Sequence, residues 1–369
     1  MQIKKFSDLN TPQKTALITA GIAQLGLFTA AWADLNMRRP EAVSGSRGAW
    51  RAGLFVNFAG PLAYFLRGRK GSDWTEDDVP DQTGKVVVVT GANSGLGLET
   101  SRVLALRGAT VIMACRNAQK AEKAAAGIRA LKPQGDVILM SLDLGDLKSV
   151  EAFAAAFREK YDRLDVLVNN AGIMVPPLGR TAQGFETQFG VNHLGHFALT
   201  AQLMPLLEKT PGARVVTVSS MAHRFGKMDF GDLNWKSRKY APMPAYGQSK
   251  LSNLLFTYEL NRRLSAAGSD VTAVAAHPGW ASTGLQGEGQ GSQLANQLFA
   301  QSQAMGALPS LYAATSPDAV GGAYYGPSGL LELGGNPERV PSNERSHDEE
   351  DAKRLWEVSE ELTGVDFTA

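Results

Sequence analysis

KVVVVTGANSGLGLET (Lys85–Thr100) reads as a buried strand, a glycine-rich turn and the first turns of a helix. Four successive valines show no apolar–polar alternation, so the strand is covered on both faces, as in a parallel sheet between helices. Gly91, Gly95 and Gly97 sit where the strand hands over to the helix. Glycines there let the backbone approach a pyrophosphate, and the helix N-terminus offers unpaired N–H groups and a favourable dipole. Thr90, Asn93, Ser94 and Leu96 share the turn and are candidate cofactor contacts with the three glycines.

The alternation continues downstream. ATVIMA (109–114), DVILMSLD (136–143), LDVLVNNAG (164–172), ARVVTVSS (213–220) and DVTAVAAHPG (270–279) are Val/Ile-rich strands separated by helical stretches. One helix runs to about Tyr161, one to about Glu208 and one through Arg263, the last preceded by an insertion ending at Pro242. Strands and helices in this rhythm imply a doubly wound, Rossmann-type α/β domain over 85–369, with its ligand at the carboxyl ends of the strands.

Those ends carry the candidate site residues. Arg116 follows the second strand, where an NAD-specific site usually places an acid for the ribose 2′-hydroxyl. An arginine suits a 2′-phosphate, so NADP(H) is expected ahead of NAD(H). Arg116 as a mere cap of the next helix is the competing reading. Asp143 and Leu144 follow the third strand; Asp143 is placed either against the adenine amino group or as the N-cap of a helix beginning near Leu147. Asn170, Ala171 and Gly172 end the fourth strand at the crevice. Tyr246 and Lys250 are four apart on a helix and face one way. A phenol titrates near 10, too high for proton transfer at neutral pH, and a neighbouring ammonium favours the phenolate.

TGANSGLG, NNAG (169–172), VNHLGHF (191–197), VTVSS (216–220) and AYGQSK (245–250) together resemble the short-chain dehydrogenase/reductase family from Lys85 to about Gly279, and more loosely to Pro327. The resemblance implies a tetrad of Asn192, Ser220, Tyr246 and Lys250. Ser220 would bond the substrate oxygen, Lys250 the nicotinamide ribose, and Asn192 would hold a water linking Lys250 to solvent. Ser220 is preferred to Ser219 by that resemblance alone. It also implies cofactor contacts at Pro278 and Gly279, with Thr283 on the carboxamide or a phosphate. His193, His196 and His277 are read as packing residues. MACRN, SLDL, VNHLGHF and HPG most resemble the retinol dehydrogenase-like branch, whose members act on lipophilic alcohols, aldehydes and ketones. Met174, Ser220, Trp280, Leu285 and Phe299 are the candidate pocket wall. Pairing of two copies through the helices after the fourth and fifth strands is a further family expectation, which the acidic run Asp348–Asp351 could promote or block. The alternative from another class is a catalytically silent, NADP-binding, membrane-tethered scaffold or redox sensor.

Composition limits the remaining classes. Among 369 residues the net charge is +1, which gives no nucleic-acid signature, and the one cysteine allows no internal disulfide and no metal-binding spacing. Thr15 to Ala33 holds no charged residue, about the length that spans a bilayer as a helix, and Ala52 to Leu66 is a second, shorter uncharged stretch. Three readings compete: a two-helix membrane hairpin, a cleaved signal peptide ending near Ala31-Trp32-Ala33, and two apolar helices packed on the domain. The hairpin is preferred, anchoring 1–70 in a bilayer through residues 15–66 with the catalytic domain facing the cytoplasm. DLNMRRPEAV (34–43) and GPLAYFLRGRKG (60–71) resemble the two-helix membrane module of some phospholipase D-type proteins. The acidic stretch 71–84 is expected to be a linker.

Overall fold

The computed structural model describes residues 10–37, 43–69, 72–279 and 302–367. The chain divides into two units, Met1–Ser72 and Asp73–Ala369.

In the first unit, helix α1 (Thr11–Met37) is long and apolar enough to cross a membrane, and most of its surface is exposed. The second apolar stretch does not form a second helix of that kind. It breaks into α2 (Arg47–Gly53), α3 (Ala59–Ala63) and a π-helical turn, Tyr64–Gly68. The break has local causes: Asn57 adopts a left-handed backbone at φ 42°, and Gly60 lies so close that a Cβ there would meet Gly53 O at 1.9 Å. A small core of Ala31, Leu35, Val43, Leu54 and Tyr64 holds the unit together. Tyr64 donates to Asp34 at 2.6 Å, and Arg69 pairs with the same carboxylate at 3.2 Å.

The second unit is the expected α/β domain. An eight-stranded sheet runs in the order β3-β2-β1-β4-β5-β6-β7-β8. Its strands are β1 (Val86–Thr90), β2 (Thr110–Cys115), β3 (Val137–Ser141), β4 (Val166–Asn169), β5 (Arg214–Val218), β6 (Thr272–Ala276), β7 (Tyr324–Pro327) and β8 (Pro337–Arg339). Pairing is parallel from β3 through β7, and β8 is antiparallel to β7. The chain reverses direction across the sheet between β1 and β4, which opens the ligand crevice of this fold class. Helices α4 (Gly95–Leu106), α5 (Ala118–Ala130) and α6 (Leu147–Lys160) connect the first half. The second half uses α7 (Thr187–Phe189), α8 (Gly195–Lys209) and α9 (Pro242–Ala266).

Successive valines of β1 point to opposite faces and enter two cores, Val86 and Val88 on one side, Val87 and Val89 on the other. Both layers are needed to bury such a strand. The acidic stretch expected as a linker is, from Asp73 onward, packed on this domain. Trp74 meets Tyr312 edge-on at 5.3 Å, Glu76 pairs with Arg102, and Val79 and Gln82 are buried. The acidic run at 348–351 starts the helix Glu349–Thr363: Asp348 accepts from the N–H groups of Glu350 and Asp351 at 3.0 Å. That helix sets Trp356 against Phe197 of α8 and Phe256 of α9, the helices through which pairing was expected.

Candidate active site

The site is assembled at the carboxyl ends of β1, β4, β5 and β6. Thr90 closes β1 and ties it to β4: its Oγ1 accepts from Asn170 N at 3.0 Å and Ala171 N at 2.9 Å, while its carbonyl takes Asn170 Nδ2 at 2.8 Å. The glycine turn packs directly on this corner. Gly91 is left-handed at φ 66°, and a Cβ on it would meet Ala171 Cβ at 2.9 Å. A Cβ on Gly97 would fall 2.5 Å from Asn170 Nδ2 and 2.6 Å from Gly91 O. Two of the three glycines therefore serve close approach within the turn itself. Gly95, at φ 59°, starts α4, and its N-cap Ser94 makes no side-chain capping bond. Asn117 caps α5 and Asp146 caps α6, so neither Arg116 nor Asp143 is a helix cap. Arg116 is instead largely exposed, 4.0 Å from Asp143, whose Oδ1 accepts from Gly145 N at 2.9 Å. Leu144 is buried, its carbonyl against Gly195.

Tyr246 and Lys250 lie on the first turns of α9 and are almost wholly buried. Lys250 Nζ donates to Val218 O at 2.9 Å and stands 5.8 Å from the Tyr246 ring centre. Burial pushes the Tyr246 phenol up to about 12, opposed by a hydrogen bond from Ser220, and pushes Lys250 down to about 8. A neighbouring ammonium is expected to draw the phenol down. In the protein alone desolvation wins on both groups, and the pair is held toward its neutral forms. Ser220 follows β5 and caps the short turn Met221–Phe225, accepting from Ala222 N at 3.2 Å, which leaves its own hydrogen free to donate. Ser219 points away and donates to Lys250 O at 2.8 Å, so the two serines have distinct surroundings. Asn253 adds a bond to Val218 O at 3.1 Å.

Asn192 sits in a π-helical turn, Gly190–Leu194, inserted between α7 and α8. Its side chain is used up locally: Oδ1 accepts from Ile173 N at 2.9 Å, and Nδ2 donates to Ile173 O and Ser249 Oγ, both at 3.0 Å. The gap between Asn192 Oδ1 and Lys250 Nζ is bridged by Gly172, on which a Cβ would lie 3.4 Å from one and 3.5 Å from the other. His196, read from sequence as packing, braces this corner. Nδ1 bonds Asn192 O at 3.0 Å and Nε2 lies 2.9 Å from Thr90 Oγ1. A proton on Nδ1 and acceptance at Nε2 satisfy both contacts with a neutral ring. Burial keeps it neutral, moving its pKa down to about 4. Its partner Thr90 is 106 residues away in sequence, so no local pattern could announce it.

The short chain dehydrogenase family model matches residues 85–293. The chain belongs to that family. Over 294 residues this dehydrogenase is 44% identical to retinol dehydrogenase 13 of Homo sapiens, covering 77% of this chain and 86% of that protein. Retinol dehydrogenase 12 of Mus musculus is likewise 44% identical, over 77% and 88% of the two chains. A crystal structure of an uncharacterised protein from Mycobacterium paratuberculosis is 47% identical, with a TM-score of 0.70 over 81% of this chain and all of that one. The dehydrogenase is therefore an oxidoreductase homologous to retinol dehydrogenases, of a family that uses nicotinamide dinucleotides. The family match begins at Lys85, so the resemblance of the first 70 residues to a phospholipase D-type module gains no support from it.

Of the expected pocket wall, Met174 is half-buried beside the end of β4, and Trp280, Leu285 and Phe299 lie outside the described residues, as does Thr283. Pro278 and Gly279 follow β6, and Gly279 N donates to His277 Nδ1 at 3.2 Å.

Proposed function

We propose that the chain is a membrane-anchored, NADP(H)-dependent oxidoreductase that interconverts a lipophilic alcohol with its aldehyde or ketone. The observation that carries this reading is the convergence of Ser220, Tyr246 and Lys250, from β5 and α9, on one buried corner beside Asn192. The surroundings suit a dinucleotide. The first turn of α4 has N–H groups with no side-chain cap, and Gly91 and Gly97 keep the turn clear of Cβ atoms. Thr90, Asn93, Ser94, Leu96 and Gly95 would line the pyrophosphate, with Asp143, Leu144 and Asn170 to Gly172 along the adenosine and ribose. Exposed Arg116 would meet a 2′-phosphate.

When bound, the nicotinamide supplies or takes the hydride. Tyr246 Oη gives a proton to the substrate oxygen in reduction and takes it in oxidation. Ser220 Oγ donates to that oxygen and stabilises its developing charge. Lys250, pinned by Val218 O, is the cation that offsets charge on the phenolate, and burial places its own pKa near the working range. Asn192 ties the Ile173 backbone, next to Gly172, to Ser249, next to Lys250.

The names of the relatives, and the apolar helix α1, favour a substrate that partitions into lipid, retinoid-like in size and polarity. With α1 as the spanning segment, Arg38, Arg39, Arg47 and Arg51 follow it, against Lys4 and Lys5 before it and Lys14 in its first turn, a bias that favours the catalytic unit on the cytoplasmic side. The test is NADPH and NADH oxidation by the full chain in lipid nanodiscs, with retinal, medium-chain aldehydes and steroid-like ketones. NADPH is expected to be preferred, and Arg116→Asp to shift the NADPH:NADH ratio of kcat/KM at least about tenfold toward NADH. An unchanged ratio would remove Arg116 from the cofactor site.

A further inference from the structure

Two loops flanking the site are joined by a largely buried carboxylate and its partners, which the mechanism above does not use. His277 follows β6 and is fully buried. Because its Nδ1 accepts from Gly279 N, the ring proton of the neutral form is on Nε2. Nε2 faces Glu332 Oε2 at 3.0 Å, and neither atom has a hydrogen-bond partner among the described residues. The second oxygen of Glu332 takes Arg224 at 2.7 Å. Arg224 belongs to the short turn that Ser220 caps. Its neighbour His223 bonds Ser220 O through Nδ1 at 2.7 Å and accepts from Asn343 N through Nε2 at 3.3 Å. Glu332 is thus the link between the segment bearing Gly279 and the turn bearing Ser220.

The fold makes several local concessions to this link. Leu331 and Glu332 both adopt left-handed backbone, at φ 53° and 58°, where side-chain-bearing residues are strained. Gly326 of β7 leaves room for His277, since a Cβ there would fall 2.0 Å from its Nε2. Gly279 is left-handed at φ 68°, and a Cβ on it would meet Leu333 O and Glu332 O at 2.7 and 2.8 Å. Burial alone would raise the Glu332 carboxyl, but His277 and Arg224 outweigh it and hold the group below its ordinary value. An ionised, largely buried carboxylate held at the junction of two functional loops is costly as mere scaffolding, because apolar packing does that task as well or better.

We propose that Glu332, with His277 and Arg224, is a positioning residue that sets the Gly279 backbone against the Ser220 turn, and so aligns the nicotinamide end of the cofactor with the proton-transfer groups. The inference rests on the reading of the site as a dinucleotide oxidoreductase.

The test compares full-length wild type with Glu332→Ala, Glu332→Asp and Arg224→Met. It measures kcat, the Kd for NADPH, the fluorescence of bound NADPH (which reports the nicotinamide ring) and Tm. Glu332→Ala is expected to lower kcat about tenfold or more and to weaken the fluorescence enhancement. Kd should stay within about threefold, because the glycine turn is untouched. Glu332→Asp should recover part of kcat. Arg224→Met removes the outer, half-exposed partner and keeps the variant set informative if Glu332→Ala fails to fold; it should show the same split. The proposal is overturned if folded variants keep kcat and fluorescence within about twofold, or if kcat and Tm fall while Kd rises in step. A wild type that neither binds nor oxidises NADPH contradicts the function itself, a separate outcome.

Discussion

Single residues carry most of the chemistry, and their legibility differs sharply. The placement of Tyr246 and Lys250 on one helix face is legible from their spacing, while their proposed role comes from the family resemblance. The positions of Arg116 and the glycine turn are legible because each sits beside its own strand end. His193 and His196 are not, because their partners are distant: Ser359 Oγ at 2.8 Å from His193 Nε2, and Thr90 for His196. Both rings are buried and neutral, with pKa values pushed down to about 3 and about 4. Below pH 6.5 the unfolded chain takes up protons there and the folded chain does not. Their contribution to stability is therefore complete above pH 6.5 and is lost as pH falls toward 4 and then 3. Between pH 7 and pH 5 each should cost on the order of 2 kcal/mol of stability. The gap between urea midpoints at the two pH values should narrow by about half in His193→Phe, His196 keeping its share, and an unchanged gap would show that ring to be charged when folded.

At the scale of elements, the six parallel strands from β1 to β6 were readable from unbroken Val, Ile and Ala runs. Strands β7 and β8 were not, because YYGP and PER contain glycine, proline and charge that a lone strand would avoid. Sheet pairing with β6 overrides those local preferences. The acidic stretch after Gly71 misled in the same way. Its charges look solvated, yet Trp74, Val79 and Gln82 alternate with them and pack on the domain. A chain beginning at Asp73 should keep its Tm. One beginning at Lys85 loses Val79 burial, the Trp74–Tyr312 contact and the Glu76–Arg102 pair, and should unfold several degrees lower, for a loss of about 2–4 kcal/mol. Equal melting temperatures would restore the linker reading. The π turn at Asn192 also escaped sequence, since it depends on bonds to Ile173 and Ser249 made only in the folded chain.

For the whole molecule, retinol dehydrogenase relatives and an apolar N-terminal helix suggest membrane association. The full chain should sediment with membranes and resist carbonate extraction, whereas the chain beginning at Asp73 should be soluble and still oxidise NADPH with short, water-soluble aldehydes. Loss of that activity on removal of the first unit would place part of the site there. The measurement that bears most directly on the account is NADPH oxidation by the full chain beside Tyr246→Phe, with NADPH binding followed in both. Wild-type turnover that falls by about three orders of magnitude or more in Tyr246→Phe, at an NADPH Kd within about threefold, is the expected result. Turnover that survives the loss of the phenol hydroxyl would contradict the assignment of Tyr246 as the group that moves the proton.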